Sequence, residues 1–380
     1  MRRIVRRLLD IRLPKSRSAF LWGPRKVGKT YWIREYFKQP KVKIIDLLQS
    51  DVFAEFASQP HLLRERWNGE FTVIDEVQKL PPLLDEVHWL IENKHAQFLL
   101  TGSSARKLRR GHANLLGGRA WRYEMGPLSF QEVQGFDIEE IMVRGLLPPH
   151  FLSEDPLMDL RSYVADYLKD EIAIEAAEQN LPAFADFLRV AALTNGELIN
   201  FSNLGREVGV SPKVARSYFE ILEDTLLGAR LKPWTKAKNR RMIQTEKFYY
   251  FDVGLANYLA KRTPKLGSFE FGKSFEHFIL MELLNYGKYR NPELEITFWR
   301  TSTSLEVDFI LNNMEVAIEV KGKSRVTSTD LKTISLLNEE HRPKKALVVS
   351  LEREIRRVSR SITICPYKVF LEELWAGDLL

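Results

Sequence analysis

Residues 23–30 read GPRKVGKT, and this stretch restricts the fold more tightly than any other in the chain. The pattern G-x-x-x-x-G-K-T works only between a strand and a helix. Glycines let successive backbone N–H groups converge on phosphate oxygens, and the helix N-terminus adds a favourable dipole. Both flanks are legible: SAFLW (18–22) is a short apolar run, and TYWIREYF (30–37) carries apolar residues at helical spacing. Gly23 and Gly28 then shape the loop, Lys29 reaches the β- and γ-phosphates of ATP, and Thr30 ligates Mg2+.

A phosphate loop needs a second acid, and EFTVIDEVQKLPPLL (70–84) supplies one. An apolar strand ends in Asp75-Glu76, where Asp75 is placed to hold Mg2+ through water and Glu76 to polarise an attacking water. A third strand in HAQFLLTGSSARKL (95–108) ends in small polar residues. Ser103 is expected to sense the γ-phosphate, with Thr101 as the second choice. Basic residues follow: Arg106, Lys107, Arg109, Arg110, Arg119 and Arg122. Gly117-Gly118 lets Arg119 project from a tight turn toward a neighbouring subunit's γ-phosphate, which implies a homo-oligomer, with a ring as one form. A solvated basic face is the alternative for each of these arginines.

GPRKVGKT, VIDEVQ, LLTGSSARKL, LLGGR and GPLSFQE, in that order, resemble the bacterial and archaeal AAA-type ATPases that carry a C-terminal domain of unknown function 4143. The resemblance continues through FYYFDVGLANYL (248–259) and residues 269–321. It implies nucleotide roles for Lys29, Thr30, Asp75, Glu76, Ser103 and Arg119. RGLLPPHF (144–151) departs from the Gly-Gly-Phe-Pro type of turn usual there.

From Pro156 onward the spacing turns helical. INFSNLGREVGVSPKVARSYFEILEDTLLGARLKPW (199–234) reads as a helix from about Ser202, a turn at Val208-Gly209 and a second helix from Ser211, a helix-turn-helix pattern. Its outer face offers Lys213, Arg216 and Ser217; Val214, Phe219, Ile221 and Leu222 face inward. Residues 229–252 read as a two-stranded wing with Lys236, Lys238, Arg240 and Arg241 at its tip, a cluster suited to phosphate contacts. A protein-docking or lid element is the alternative.

TSLEVDFILNNMEVAIEVKGK (303–323) alternates strictly on both sides of Asn312-Asn313, as a hairpin with a two-residue turn does. Pairing Leu311 with Met314 sets Glu306 opposite Glu319 and makes Asp308 and Glu319 diagonal neighbours on one face. Clustered acids repel unless a cation lies between them. Asp, ten residues, then Glu-Val-Lys resembles the PD-(D/E)xK nuclease motif, which implies Mg2+ or Mn2+ held by Asp308 and Glu319 with Lys321 assisting. The preceding helix supplies Glu276 on an apolar face as a third ligand, with Glu282 as second choice.

A chain of 380 residues is long for one domain. The sequence predicts an α/β protein of three parts: an AAA-type P-loop ATPase (1–150), a helical and winged-helix part (151–265) and a restriction-endonuclease-like domain (266–380). Lys and Arg number 57 against 50 acids, a net +7 that permits a polyanionic partner such as DNA. The single cysteine, Cys365, allows no internal disulfide and fits a reducing, cytoplasmic setting. No apolar run reaches the roughly 20 residues of a membrane span. MRRIVRRLLDIRLPKSR (1–17) reads as a basic amphipathic helix facing solvent or a partner. The expected function is ATP-driven DNA processing with metal-dependent cleavage. Its rivals are an ATP-switched DNA-binding protein with a silent nuclease fold, and an ATPase that remodels a protein partner.

Overall fold

A computed structural model describes residues 5–14, 17–37, 42–104, 116–133, 135–168, 181–235 and 245–380. These residues form two compact units, one of Arg6–Gly126 with Asp224–Leu227, the other chiefly of Pro127–Glu223 and Gly228–Leu380.

In the first unit the elements follow as β1 (Ser18–Trp22), α1 (Lys29–Tyr36), β2 (Val42–Asp46), α2 (Ser50–Ser58), α3 (Leu62–Glu65), β3 (Phe71–Asp75), α4 (Leu83–Lys94), β4 (Phe98–Gly102) and β5 (Ala120–Glu124). The strands pair in parallel in the order β2-β3-β4-β1-β5. Every residue of β1 and β4 is buried, as expected for parallel strands covered on both faces. Phe20, Ile74, Val87, Phe98 and Leu100 share one core, and each such side chain contributes roughly 1.5–3 kcal/mol by burial. Because β4 lies between β1 and β3, the phosphate loop, Asp75 and Thr101 emerge from adjacent strand ends.

The expected N-terminal helix does not form over the described residues 5–14. Leu9 and Ile11 are buried two residues apart, the period of an extended chain rather than a helix. Arg7 anchors this arm by donating to the carbonyls of Val27 (2.6 Å) and Gly126 (2.8 Å). The segment thus buries Leu9 and Ile11 in its own unit while Arg6 and Arg12 face solvent, as expected of its basic residues.

The second unit begins with α5 (Ile138–Arg144), α6 (Pro148–Phe151), α7 (Pro156–Ser162), α8 (Leu181–Leu193), α9 (Phe201–Glu207) and α10 (Pro212–Asp224). After β6 (Gly228–Pro233), β7 (Lys247–Tyr250), α11 (Val253–Leu259) and α12 (Phe269–Tyr289) come β8 (Ile296–Arg300), β9 (Glu306–Leu311) and β10 (Val316–Lys321). α13 (Lys332–His341), β11 (Lys345–Ser350), β12 (Arg356–Arg357), β13 (Ile362–Pro366) and α14 (Tyr367–Ala376) complete it. The sheet order is β12-β13-β11-β10-β9-β8-β6-β7. β8, β9 and β10 form an antiparallel meander, and α13 is the crossover that lets β11 pair in parallel with β10.

Two expectations change here. β6 and β7 do pair antiparallel, but β6 also pairs with β8 at Lys232 and Pro233, so the expected wing is the edge of the larger sheet. The β9–β10 register is shifted by two: Leu311 pairs with Val316 and Phe309 with Ile318. Residues 312–315 form the connection, with Asn312 and Met314 at positive φ, rather than Asn312-Asn313 alone. A shift of two preserves which side chains share a face. It removes the Glu306–Glu319 pairing and brings Asp308, rather than Glu306, opposite Glu319 by extension of the register.

Among the described residues, no helix is long and apolar enough to cross a membrane.

Candidate functional site

Gly28 caps α1 at φ 94°, a left-handed conformation that glycine adopts freely. A Cβ on Gly23 would stand 2.5 Å from the Met125 carbonyl, so only glycine permits the strand-to-loop exit seen there. Lys29 is buried and donates to the carbonyls of Gly23 (2.7 Å) and Pro24 (3.1 Å), folding over its own loop. Burial pushes its ammonium below the ordinary lysine value, opposed by Glu76 and Asp75 nearby.

Thr30 Oγ1 donates to Asp75 Oδ2 at 2.7 Å, and Thr101 donates to Asp75 Oδ1. The Glu76 N–H in turn donates to Thr101 Oγ1 at 3.4 Å, with Glu76 itself in the left-handed region at φ 60°. The sequence-predicted Lys29, Thr30, Asp75 and Glu76 therefore meet at one end of the sheet. Thr101 touches both acids directly. Ser103 reaches Glu76 through Gln78, whose Nε2 donates to Glu76 Oε2 and, at 3.1 Å, to Ser103 Oγ. Gln78 was not singled out in the sequence. Its signal was a polar residue two places after the acid pair, in a buried turn.

Arg119 follows Gly117 and Gly118, both at positive φ, and its guanidinium is ion-paired with Glu92 at the end of α4. Arg106, Lys107, Arg109 and Arg110 lie outside the described residues.

In the second unit, Asp308 and Glu319 are buried on adjacent strands. Asp308 Oδ2 accepts the Val320 N–H at 2.7 Å, so the ladder gives way to a side chain beyond the Phe309–Ile318 pair. Glu319 Oε1 accepts from Lys321, whereas its buried Oε2 accepts no hydrogen bond from the described residues. Glu276, from α12, accepts from the Tyr249 hydroxyl at 2.6 Å and is paired with Lys247 at 3.5 Å. Glu306 binds Lys247 and, at 2.8 Å, Arg300.

Burial and the neighbouring Glu319 and Glu276 hold the Asp308 carboxyl well above the usual carboxylate range. Burial lifts Glu319 to about 7 despite the opposing Lys321. Burial also acts on Glu276, but Lys247 and Lys273 outweigh it and keep that carboxyl low. These groups feel one another, yet among the described residues no set of three or more acid, imidazole or thiol groups is arranged to hold a metal. Glu282, the second choice on α12, lies elsewhere: it accepts from the Phe130 N–H and the Trp375 indole N–H, both at 2.8 Å.

Lys247, like Gln78, is not among the residues singled out from the sequence. It opens a strand, KFYY, whose four residues are all buried. A buried lysine is costly unless paired, the same argument that singled out Glu276.

α9 and α10 form with residues 208–211 between them, and Ser211 Oγ accepts the Val214 N–H. Lys213 and Arg216 are exposed and line a groove of about 660 Å3. The Arg216 guanidinium lies over the Phe201 ring at 4.5 Å. Lys236, Lys238, Arg240 and Arg241 fall outside the described residues.

Residues 15–134 match an AAA domain, 135–266 a domain of unknown function (DUF8612) and 271–370 a domain of unknown function (DUF4143). An uncharacterized protein of Mycobacterium tuberculosis is 28% identical over 327 residues, 82% of this chain and 72% of that one. One of Haemophilus influenzae is 22% identical over 360 residues, 86% and 87% of the two chains. The solved structure of Can2 from Sulfobacillus thermosulfidooxidans in complex with cyclic tetra-adenylate covers 95% of this chain and 96% of that one at 11% identity, with a TM-score of 0.19, a superposition that carries no argument. Residues 15–134 are thus similar to AAA domains, which supports ATPase activity in general, and the two domains matched C-terminal to them have no described function.

Proposed function

We propose that the protein couples ATP hydrolysis in its first unit to metal-dependent cleavage of DNA in its second. In the first unit, Lys29 leaves the Gly23 and Pro24 carbonyls to meet the phosphates, and the loop N–H groups orient them. Bound Mg2+ supplies neutralisation of the phosphate charge, and Thr30 and Asp75 are the residues that would hold it. Glu76 takes up the proton of the attacking water, while Gln78 fixes its carboxylate and Thr101 its backbone. Arg119 exchanges Glu92 for a neighbouring subunit's nucleotide, which requires an oligomer.

The observation that carries the second half is Glu319 Oε2, a buried carboxylate oxygen without a donor among the described residues. It sits two residues before Lys321, on the strand next to Asp308. Hard carboxylate oxygens of this kind suit Mg2+ or Mn2+, so Asp308 and Glu319 fit a divalent cation. Glu276 fits less well as a third ligand because Tyr249 and Lys247 already hold it. A cation bound there supplies an activated water and charge neutralisation on the phosphodiester. Lys321 stabilises developing negative charge from beside Glu319. The restriction-endonuclease-like reading of this unit rests on the same residues, with Glu276 on the helix that precedes the meander. Lys213 and Arg216, exposed on α10, offer phosphate contacts for DNA.

The test is a cleavage panel of linear, circular and branched DNA with Mn2+ or Mg2+, with and without ATP. Cutting that disappears in Asp308→Asn supports the reading; wild-type protein that cuts none of these forms overturns it. The silent-nuclease alternative draws on Lys247 and Lys321, which already balance much of the acid charge.

A further inference from the structure

We propose that the Lys247 ammonium is a built-in competitor of the divalent cation at the carboxylate cluster, so that cation uptake at Asp308 and Glu319 is held down until Lys247 is displaced. This rests on the reading of Asp308 and Glu319 as a cation site, and it deepens that reading by adding a residue from outside the motif.

Lys247 comes from β7, on the far edge of the sheet order from β9 and β10, not from the Asp–Glu–Lys pattern itself. Its side chain is 2% exposed, against 28% for Lys273, 28% for Arg300 and 26% for Lys321, the other cations at these acids. Solvent therefore screens its charge least. It bridges Glu276 and Glu306, elements distant in sequence, and lies 5.2 Å from the Phe298 ring centroid. Burial disfavours its charged form, but Glu276, Glu306 and Asp308 together outweigh that and keep the ammonium above its ordinary value.

Two cations cannot share one carboxylate cluster without mutual repulsion, and a fixed ammonium has already paid its desolvation on folding. A divalent cation arriving at Asp308, which lies within the reach of the Lys247 charge, meets that charge in a poorly screened setting. The consequence is weak uptake in the resting chain, and strong uptake once β7 shifts or the charge is removed.

The experiment measures Mn2+ binding to the nucleotide-free full chain by electron paramagnetic resonance of the free ion. Wild type, Lys247→Met, Lys247→Arg, Asp308→Asn and the Lys247→Met/Asp308→Asn double variant are compared. Lys247→Met is expected to bind Mn2+ at least about tenfold more tightly than wild type, with Lys247→Arg close to wild type and the gain lost in the double variant. Equal or weaker binding by Lys247→Met overturns the competitor role. If Asp308→Asn still lowers wild-type binding in that case, the cation site stands without it; if Asp308→Asn changes nothing in any background, the site reading itself falls. Should Lys247→Met fail to fold, Lys247→Gln, which can still donate to Glu306, is read the same way.

Discussion

Thr30 Oγ1 donates to Asp75 Oδ2 at 2.7 Å, joining the first turn of α1 to the end of β3 across 45 residues of sequence. With Thr101 donating to the other carboxylate oxygen, Asp75 is fixed in place by hydroxyls from two neighbouring elements. Lys29 stands beside this pair, buried and bonded to its own loop. Replacing Lys29 with Ala should therefore reduce ATP turnover by about 100-fold or more, the scale for loss of one preorganised charge donor. Phosphate release measures it, and turnover that survives in Lys29→Ala contradicts the loop's assigned role.

Gln78 gives a finer test of the same site. Its amide spans Glu76 and Ser103, so it positions the Glu76 carboxylate. Gln78→Ala should lower kcat by about tenfold while leaving the KM for ATP nearly unchanged, since the phosphate-binding residues are untouched. A rise in KM at constant kcat would show that Gln78 serves nucleotide binding instead.

Glu282 carries a pH prediction for the second unit. Burial lifts its carboxyl to about 8 against an ordinary 4.5, opposed by the bonds from Trp375 and Phe130. The folded chain thus holds this proton more tightly than the unfolded chain does. Its contribution to stability is complete below about pH 4.5 and is lost as pH rises through about 8, by an amount on the order of a few kcal/mol. Glu282→Gln should flatten that decline in urea denaturation at pH 5 and pH 8. An unchanged slope would place the pH dependence elsewhere.

Much of the nucleotide site was legible because its chemistry is local: a glycine loop, a strand-end acid pair and a strand-end hydroxyl each announce themselves within a few residues. What escaped were partners brought in by the turn or the sheet. Gln78 matters because the turn after Asp75 folds it back toward Ser103. Lys247 matters because β7 continues a sheet whose other edge lies more than 100 residues away in sequence. The hairpin around Asn312-Asn313 was recognised as a hairpin, but alternation cannot distinguish registers that differ by two, since both bury the same faces. Positive φ at Asn312 and Met314, which decides it, has no strong mark in NNME. The N-terminal arm misled for a related reason. Its arginines suggested a solvated helix; Arg6 and Arg12 are exposed, but Arg7 is bound to two backbone carbonyls and no helix forms over residues 5–14.

The central claim is that one chain holds two separable chemistries, and a paired assay tests it most directly. Wild type, Lys29→Ala, Asp308→Asn and Lys321→Ala are followed in the same reaction for phosphate release and for Mn2+-dependent cutting of DNA. The account predicts that Asp308→Asn and Lys321→Ala retain wild-type ATP turnover but lose cleavage by about 100-fold or more, while Lys29→Ala loses turnover. Cleavage that persists undiminished in both Asp308→Asn and Lys321→Ala would contradict it.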